Sequence, residues 1–224
     1  MYEQQPAIPH TGLESTFFGK VMTFFALAIL SSAAGVYITM HYFMQYFIAT
    51  PQLIYVLFVV ELIVILTSRM WSQKSPLNRF MFVLFTFITG VTVAPLISVL
   101  AASAGGTAIL TKALLATSAT FIATALIGWK TSYDLSGMRG FLIIGLIGMI
   151  IVGVAGIFIP WGNTMEMVYS GIGVLLFAGF TMYDIQKLKR YPENMYIEAA
   201  LSLYLDIFNL FLYILRLIMS LNRR

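Results

Sequence analysis

The chain has 224 residues, of which 60% are hydrophobic and 10% charged, with a formal net charge of +4 and no cysteine. Soluble domains carry roughly 25% charged residues, so this composition excludes an ordinary soluble globule. The lack of cysteine excludes disulfides, thiolate metal sites and a catalytic cysteine, and basic residues placed between apolar segments do not indicate nucleic-acid binding.

Apolar segments of about 20 residues, the length that an α-helix needs to cross a bilayer, recur along the whole chain. Runs such as FLIIGLIGMIIVGVAGIFI do not alternate polar and apolar residues, as the strands of a membrane β-barrel would. The pattern therefore predicts an all-α, polytopic membrane bundle of seven transmembrane helices. The predicted spans are about 17–40, 48–69, 79–100, 107–129, 140–160, 166–186 and 197–219.

The same pattern predicts the organisation of the chain outside the spans. A polar N-terminal tail is expected over residues 1–16, a single transmembrane domain over 17–219 and a basic C-terminal tail over 220–224. The connections between spans are short, which leaves no room for a soluble domain.

Basic residues alternate between the connections and predict the orientation. The three basic connections contain Arg69, Lys74 and Arg79, then Lys130 and Arg139, then Lys187, Lys189 and Arg190, and the other connections contain no Lys or Arg. Positively charged connections stay in the cytoplasm, which predicts a cytoplasmic N-terminus. Seven spans would place the C-terminus outside the cytoplasm, which conflicts with its basic ending LNRR. Either the last segment is re-entrant and returns to the cytoplasmic side, or the basic residues of the other connections outweigh those of the C-terminus. Seven full spans is our prediction.

Three acidic residues fall inside predicted spans, where an ionised carboxylate costs at least a few kcal/mol. Glu61 lies in the second span, Asp184 near the end of the sixth and Asp206 within the seventh. At 100° per residue, the polar side chains of the seventh span share an arc of roughly 80° that must face protein or water. They are Glu198, Ser202, Asp206, Asn209, Tyr213 and Arg216.

Each acidic residue also has a structural interpretation. Asp206 could be a contact between helices, hydrogen-bonded by Asn209 or a tyrosine, and Asp184 could pair with Lys187 three residues along the helix. Glu61 could pair with Arg69 or with Lys20 of the first span.

If the two aspartates meet, their mutual repulsion would let the pair hold one shared proton over some pH range. The protonated pair could close a helix bundle, whereas the ionised pair would repel and offer oxygen ligands to Ca²⁺, which takes 6–8 oxygens. Asp184 and Asp206 are therefore candidate Ca²⁺ ligands as well as candidate proton sites.

The segment TMYDIQKLK around Asp184, followed by ALSLYLDIFNLFLYILRL around Asp206, resembles the signature of the transmembrane Bax inhibitor motif family, and of its bacterial members in particular. The resemblance extends to the seven-span pattern and to TSYDLSG at 131–137. It implies a pH-sensitive calcium leak through a bundle whose last helix is central and surrounded by the other six. It also implies that Asp184 and Asp206 form a di-aspartyl pH sensor at the cytoplasmic side.

The resemblance further implies that Glu61 occupies the acidic position of the second span, on the ion path. In some members an arginine further along that span latches onto the first aspartate. Arg69 is the nearest candidate here, with a spacing from Glu61 that departs from the family's pattern.

Three alternatives to a calcium leak remain at this stage. Intramembrane aspartyl proteases also place two aspartates on consecutive spans, and Tyr183-Asp184 matches the first motif, but Leu203-Tyr204-Leu205 precedes Asp206 in place of Gly-x-Gly and no Pro-Ala-Leu occurs. A proton-coupled cation exchanger and a non-conducting regulator of membrane partners would look similar in sequence.

We expect a non-enzymatic, gated leak with Glu61, Asp206 and Asn209 along the ion path and no resident cofactor. Ca²⁺ and protons are the expected ligands, membrane lipids the surroundings, and the monomer the functional unit. The expected location is a bacterial cytoplasmic membrane, with the endoplasmic reticulum as the alternative.

Overall fold

The structure is a computed structural model that describes residues 13–223, and within that range it contains helices and short connections but no β-strand. Seven helices dominate it: α1 (Leu13–Ile38), α2 (Leu53–Leu66), α3 (Leu77–Ala102), α4 (Gly106–Lys130), α5 (Met138–Phe158), α6 (Asn163–Leu188) and α7 (Tyr196–Asn222). Shorter pieces lie between them: a π-helical turn at Thr39–Phe43, helices at Met44–Ala49 and Ser68–Trp71, and 3₁₀ turns at Leu135–Gly137 and Glu193–Met195.

The predicted helical membrane bundle is confirmed, with one span shorter than expected. Six helical segments of the described chain are long and apolar enough to cross a membrane, and the remaining apolar helix, α2, has only 14 residues where the sequence predicted 48–69. Pro51 explains the late start, because proline disfavours helical conformation in the residue before it, and Thr50 has φ −139° and ψ 77°. At its other end α2 stops at Thr67 (φ −90°, ψ 1°) before the short helix that contains Arg69.

The ends of the first and last helices also differ from the predicted boundaries. Helix α1 begins at Leu13, inside the predicted tail 1–16, and helical structure continues through the π-helical turn to Ala49. Helix α7 extends to Asn222, so the predicted basic tail 220–224 begins within it. Residues 1–12 of the predicted N-terminal tail lie outside the described range.

The last helix lies at the centre of the bundle, packed mainly against four of the other six helices. Helix α7 packs against α1, α3, α4 and α6, and Ile197, Leu203, Leu210 and Leu215 on it are all 5% exposed or less. Helices α2 and α5 complete the bundle from outside by packing on α3 and α6.

Helix α7 runs antiparallel to α6 along its whole length. Near its C-terminal end, Asn163 Nδ2 at the start of α6 donates a 3.0 Å hydrogen bond to the carbonyl of Ser220. Arg223 and Glu166 form an ion pair of 3.4 Å in the same place.

The length of α7 decides between a full span and a re-entrant segment. At 1.5 Å per residue, its 27 uninterrupted residues extend about 40 Å. The last segment is therefore a full-length helix, and the re-entrant alternative is wrong.

We call the two ends of the bundle the basic end, where α6 ends and α7 begins, and the opposite end, where Arg223 meets Glu166. Arg69, Lys130 and Arg190 lie at the basic end, which is the end that the charge pattern assigned to the cytoplasm.

Candidate functional site

Asp206 is a buried carboxyl group on the central helix. Its side chain is 4% exposed, and within the described chain its Oδ2 atom has no hydrogen-bond partner. An ionised carboxylate buried without partners costs several kcal/mol. Asp206 is therefore a group whose burial calls for a bound proton, a nearby cation or both.

Asp184 on α6 is the acidic neighbour of Asp206. It is 9% exposed, and its carboxyl group is close enough to Asp206 to interact with it electrostatically. None of the hydrogen bonds of the described residues joins the two carboxyl groups. The structure thus places the predicted pair on adjacent helices, and no hydrogen bond of the described residues joins their carboxyl groups.

The register of α6 on α7 explains this spacing. Tyr169 and Tyr213 approach to 3.4 Å between their hydroxyl oxygens, and Asn163 bonds to Ser220 further along the same antiparallel pair. If the same register continues toward the basic end, Asp184 on α6 lies level with the first turns of α7. Glu198 lies in those turns and acts on Asp184 electrostatically. Asp206 lies two helical turns beyond Glu198, about 12 Å along the axis, and is thus deeper in the bundle than Asp184.

Two glycines, one on α4 and one on α6 itself, let α6 pack this closely against its neighbours. A Cβ on Gly128 of α4 would lie 2.3 Å from the carbonyl oxygen of Met182, two residues before Asp184. A Cβ on Gly173 of α6 would lie 2.3 Å from a ring carbon of Tyr213. Any side chain at either position would push α6 away from its partner, so these glycines fix where Asp184 sits.

Lys187 forms no ion pair with Asp184 among the described residues, although its charge acts on that carboxyl group. The Lys187 ammonium lies 4.6 Å from the centre of the Tyr191 ring. The described ion pairs, Arg190 with Asp134 and Arg223 with Glu166, do not include Asp184. Tyr191 lies in the connection between α6 and α7, where burial raises the pKa of its phenol, so it stays neutral at physiological pH.

Asn209 does not hold Asp206 in place. Its Nδ2 atom donates a 2.7 Å hydrogen bond to the carbonyl of Leu205, one turn back on the same helix. The hydrogen bond from Asn209 that a purely structural role of Asp206 could use is therefore not formed, and the role of Asn209 on an ion path stays a prediction.

Glu61 is half-buried on α2 and hydrogen-bonds to α3. Thr92 Oγ1 donates to its Oε1 at 2.5 Å. Neither basic residue proposed as its partner pairs with it: Arg69 is exposed, and Lys20 lies over the ring of Tyr196 at 5.9 Å. The ion-pair interpretation of Glu61 is thus wrong in this conformation, and the described side chain of Arg69 makes no ion pair with Asp184 either.

Glu61 belongs to a second polar cluster, separate from the aspartates. Next to Thr92, Thr89 hydrogen-bonds to the hydroxyl group of Tyr204 on α7. Tyr204 and Asp206 are two residues apart and thus point about 200° apart on the helix. The structure therefore places the Glu61 cluster and the aspartates on different sides of α7.

Some polar residues of these clusters escaped the sequence analysis. Thr86, Thr89 and Thr92 recur every three residues on α3, which places them on one helix face, and this spacing is readable in FTFITGVTVAP. Gln186, two residues after Asp184, is also buried and hydrogen-bonded, but only the tertiary structure reveals its partners.

The acidic pair alone does not make a complete metal site. Among residues 13–223 no group of three or more His, Asp or Glu side chains is placed to hold a metal ion. Two carboxylates supply at most four of the 6–8 oxygens that Ca²⁺ takes, so carbonyls and water would have to supply the rest.

Together, the fold and the site define a multi-pass helical membrane protein with two neighbouring acidic residues buried beside its central helix. A family model described as "Inhibitor of apoptosis-promoting Bax1" matches residues 14–224. The chain belongs to this Bax inhibitor-1 family, which confirms the resemblance found in the sequence.

Individual relatives come from bacteria, plants and fungi. An uncharacterized protein of Campylobacter jejuni is 30% identical over 211 residues, which cover 94% of this chain and 90% of that protein. Protein LIFEGUARD 4 of Arabidopsis thaliana is 36% identical over 163 residues, covering 71% of this chain and 64% of that protein. Bax inhibitor 1 of Schizosaccharomyces pombe is 29% identical over 162 residues, covering 72% and 59%.

Proposed function

We propose that this protein is a pH-sensitive calcium leak, gated at Asp184 and Asp206. The observation that supports the proposal is the burial of two carboxyl groups on adjacent helices, one of them with an unpaired oxygen. Ca²⁺ is the cargo in this proposal, and no resident cofactor takes part.

The gate follows from the electrostatics of the pair. With a proton on either carboxyl group, repulsion between α6 and α7 is small and the basic end stays packed. As the pH rises and the protons leave, two like charges in a medium of low dielectric constant repel strongly. The repulsion separates the helices and exposes carboxylate oxygens, which are the ligands that Ca²⁺ prefers.

Glu61 is the proposed second acidic position on the path. Its carboxylate is held by Thr92 on the other side of α7 from Asp206. A continuous path therefore requires α7 to move relative to α3 or α6 when the gate opens. The packed arrangement described here corresponds to the closed state.

The test is calcium flux into liposomes that contain the purified protein and a calcium dye, measured from about pH 5 to about pH 8. The wild-type flux should rise with pH, and Asp184→Asn and Asp206→Asn should each abolish the pH dependence. Asp134→Asn, which changes an exposed aspartate at the same end, is the matched control and should behave as wild type. Unchanged pH dependence in both buried-site variants would contradict the gate.

The same liposomes distinguish the other functions. Flux that saturates and requires an opposing proton gradient would make the protein a cation exchanger, and cleavage of a membrane peptide that either variant abolishes would make it a protease. No flux at any pH would favour a non-conducting regulator.

We also propose that the basic end faces the cytoplasm of a bacterial cell. The alternation of basic connections supports this orientation. Because the chain has no cysteine, single variants such as Gln73→Cys at the basic end and Asn163→Cys at the opposite end report sidedness. A membrane-impermeant maleimide added to intact cells should label only the second variant, and labelling of the first would reverse the orientation.

A further inference from the structure

A cavity of about 450 Å³ lies at the opposite end of the bundle, between α3, α5, α6 and α7. Its volume is within the range of about 300–1,000 Å³ that is typical of small-molecule sites. Arg216, one of its lining residues, is ten residues along α7 from Asp206, which is about 15 Å of helix. The cavity is therefore separate from the pair of buried aspartates.

The charged side chains that line the cavity carry a net positive charge. They are Arg216 and Arg223 on α7 and Glu166 on α6. Arg223 lies 3.4 Å from Glu166, so these two charges offset each other. Among residues 13–223, Arg216 forms no ion pair and no hydrogen bond. Within the described chain, the cavity thus holds one positive charge that no carboxylate of the protein meets.

Arg216 lies deeper in the bundle than Arg223. It comes seven residues earlier on α7, which is two turns and about 10 Å along the axis, and both side chains project from the same helix face. A guanidinium group inside a membrane protein is costly unless water or an anion meets it. The side chain of Arg216 is exposed, so its anion can come from outside the protein.

The other walls of the cavity are apolar and aromatic. Leu96 on α3 and Met219 on α7 supply aliphatic surface, and Trp161 supplies an indole ring. The ring of Trp161 packs edge-to-face on Tyr169, with 5.0 Å between the ring centres. The hydroxyl group of Tyr169 donates a 2.8 Å hydrogen bond to the carbonyl of Met149. Contacts within the protein therefore hold the aromatic wall in place.

Two glycines of α5 make room for these rings. Gly153 and Gly156 both line the cavity. A Cβ on Gly156 would lie 2.5 Å from a ring carbon of Trp161, and a Cβ on Gly153 would lie 2.7 Å from the hydroxyl oxygen of Tyr169. Side chains at these positions would displace the rings, so the glycines determine the shape of the wall.

The positive charge and the apolar wall together indicate the class of ligand. A guanidinium group binds a phosphate group through two parallel hydrogen bonds. Aliphatic and aromatic surface suits the glycerol and acyl parts that a phospholipid attaches to its phosphate. Tryptophan rings favour the membrane interface, so Trp161 indicates that the cavity lies at the level of the lipid headgroups. A lipid therefore fits better than a soluble phosphate.

We propose that this cavity binds the headgroup of an anionic phospholipid, with Arg216 as the ligand of its phosphate group and Arg223 as a second cation nearer the end of α7. The Glu166 carboxylate competes with the phosphate group for Arg223 and limits the affinity. An anionic headgroup here would also neutralise the basic C-terminal end of α7. The site does not rest on the calcium leak, and its test needs no calcium flux.

Native mass spectrometry of the purified full-length protein counts the lipids that it binds. The two probes are dioleoyl phosphatidylglycerol, which is anionic, and dioleoyl phosphatidylcholine, which has the same phosphate group but no net charge. Phosphatidylglycerol should bind at one site about tenfold more tightly than phosphatidylcholine, because only its charge is uncompensated. Equal binding of the two lipids would overturn the proposal.

Two variants should change this affinity in opposite directions. Arg216→Gln should weaken the binding of phosphatidylglycerol about tenfold, because the phosphate group loses a charge-assisted pair. Glu166→Gln should strengthen the binding, because it removes the competing carboxylate and frees Arg223. A structural role of the ion pair alone would predict no gain in Glu166→Gln, so an unchanged or weaker affinity there would contradict the assigned roles.

Lys112→Gln is the matched control. It removes an exposed positive charge near the start of α4, at the same end of the bundle but outside the cavity, and it should leave the affinity unchanged. An unchanged affinity in Arg216→Gln, or an equal loss in Lys112→Gln, would show that the lipid is attracted by surface charge and not by this site.

Inorganic phosphate distinguishes a lipid from a soluble ligand. An excess of inorganic phosphate should leave phosphatidylglycerol bound, and its displacement would assign the site to a soluble phosphate. Thermal unfolding in detergent gives a second measurement, since a ligand that binds the folded state raises the unfolding temperature. Added phosphatidylglycerol should raise it in wild type and much less in Arg216→Gln. An equal rise in both proteins would overturn the role of Arg216.

Discussion

Thr92 on α3 donates a 2.5 Å hydrogen bond to the carboxylate of Glu61 on α2, the shortest of the seven main helices. This contact joins a peripheral helix to the threonine face of α3, which in turn contacts α7 through Thr89 and Tyr204. Glu61 is thus part of the packed bundle: its carboxylate on α2 accepts the hydrogen bond that the Thr92 hydroxyl group on α3 donates.

Thr92→Val should destabilise the protein by about 1–3 kcal/mol, because it leaves a half-buried carboxylate without its donor. Thermal unfolding in detergent measures the change. Thr111→Val is the control, since Thr111 is exposed on α4 and bonds only to the carbonyl of Thr107. Adding Glu61→Gln to Thr92→Val should recover part of the loss, and a loss that grows would show that Glu61 has another partner.

Asp206→Asn should leave the protein at least as stable as wild type near neutral pH. The amide keeps the shape of the carboxyl group and cannot ionise, so the buried site with its unpaired oxygen no longer has to accommodate a charge. Thermal unfolding of Asp206→Asn and of the exposed control Asp134→Asn makes the comparison. A strong loss of stability in Asp206→Asn alone would mean that its charge is satisfied in the bundle.

Gly173→Ala should destabilise the pair of α6 and α7, because the added methyl group would overlap the Tyr213 ring. Overpacking of this kind costs about 1–3 kcal/mol. Gly171→Ala on the same helix is the matched control, since its Cβ meets no atom within 4 Å, and alanine favours a helix over glycine by about 1 kcal/mol. If both variants unfold at the same temperature, the contact of Gly173 with Tyr213 does not fix the register.

The ion pair of Arg190 and Asp134 should not respond to pH in the range where the gate is expected to act. The N–H of Ser136, with Arg190, lowers the pKa of Asp134 below its ordinary value. A group whose pKa is lowered on folding contributes stability above its unfolded pKa of about 3.9 and loses it only as the pH falls through the folded value. Between about pH 5 and about pH 8 the contribution is therefore constant.

Asp134→Asn should accordingly leave the pH midpoint of calcium flux where wild type has it, although the amplitude can change. The measurement is the same liposome assay, with Asp184→Asn as the comparison. A midpoint that moves in Asp134→Asn would place the pH response in the connection between α4 and α5 and not at the buried aspartates.

Local patterns in the sequence predicted the class of fold because hydropathy and charge depend little on the partners of a residue. The apolar runs predicted every helix of the bundle, and the polar stripe of the last span predicted that α7 is buried. Helix ends were less certain, as α2 shows, since a single proline and the turn at Thr67 set them.

The sequence by itself determined that this protein is a helical membrane bundle of the Bax inhibitor-1 family with acidic residues at Glu61, Asp184 and Asp206. Only the tertiary structure decided their partners: Thr92 for Glu61, Asp184 as the electrostatic neighbour of Asp206, and the backbone of residues 131–137 for Gln186. The reason is that side-chain partners depend on the rotation and register of one helix against another. Close approaches such as those of Gly128 to Met182 and of Gly173 to Tyr213 set this rotation and register. The two residues of each approach are far apart in the sequence, so local patterns do not reveal them.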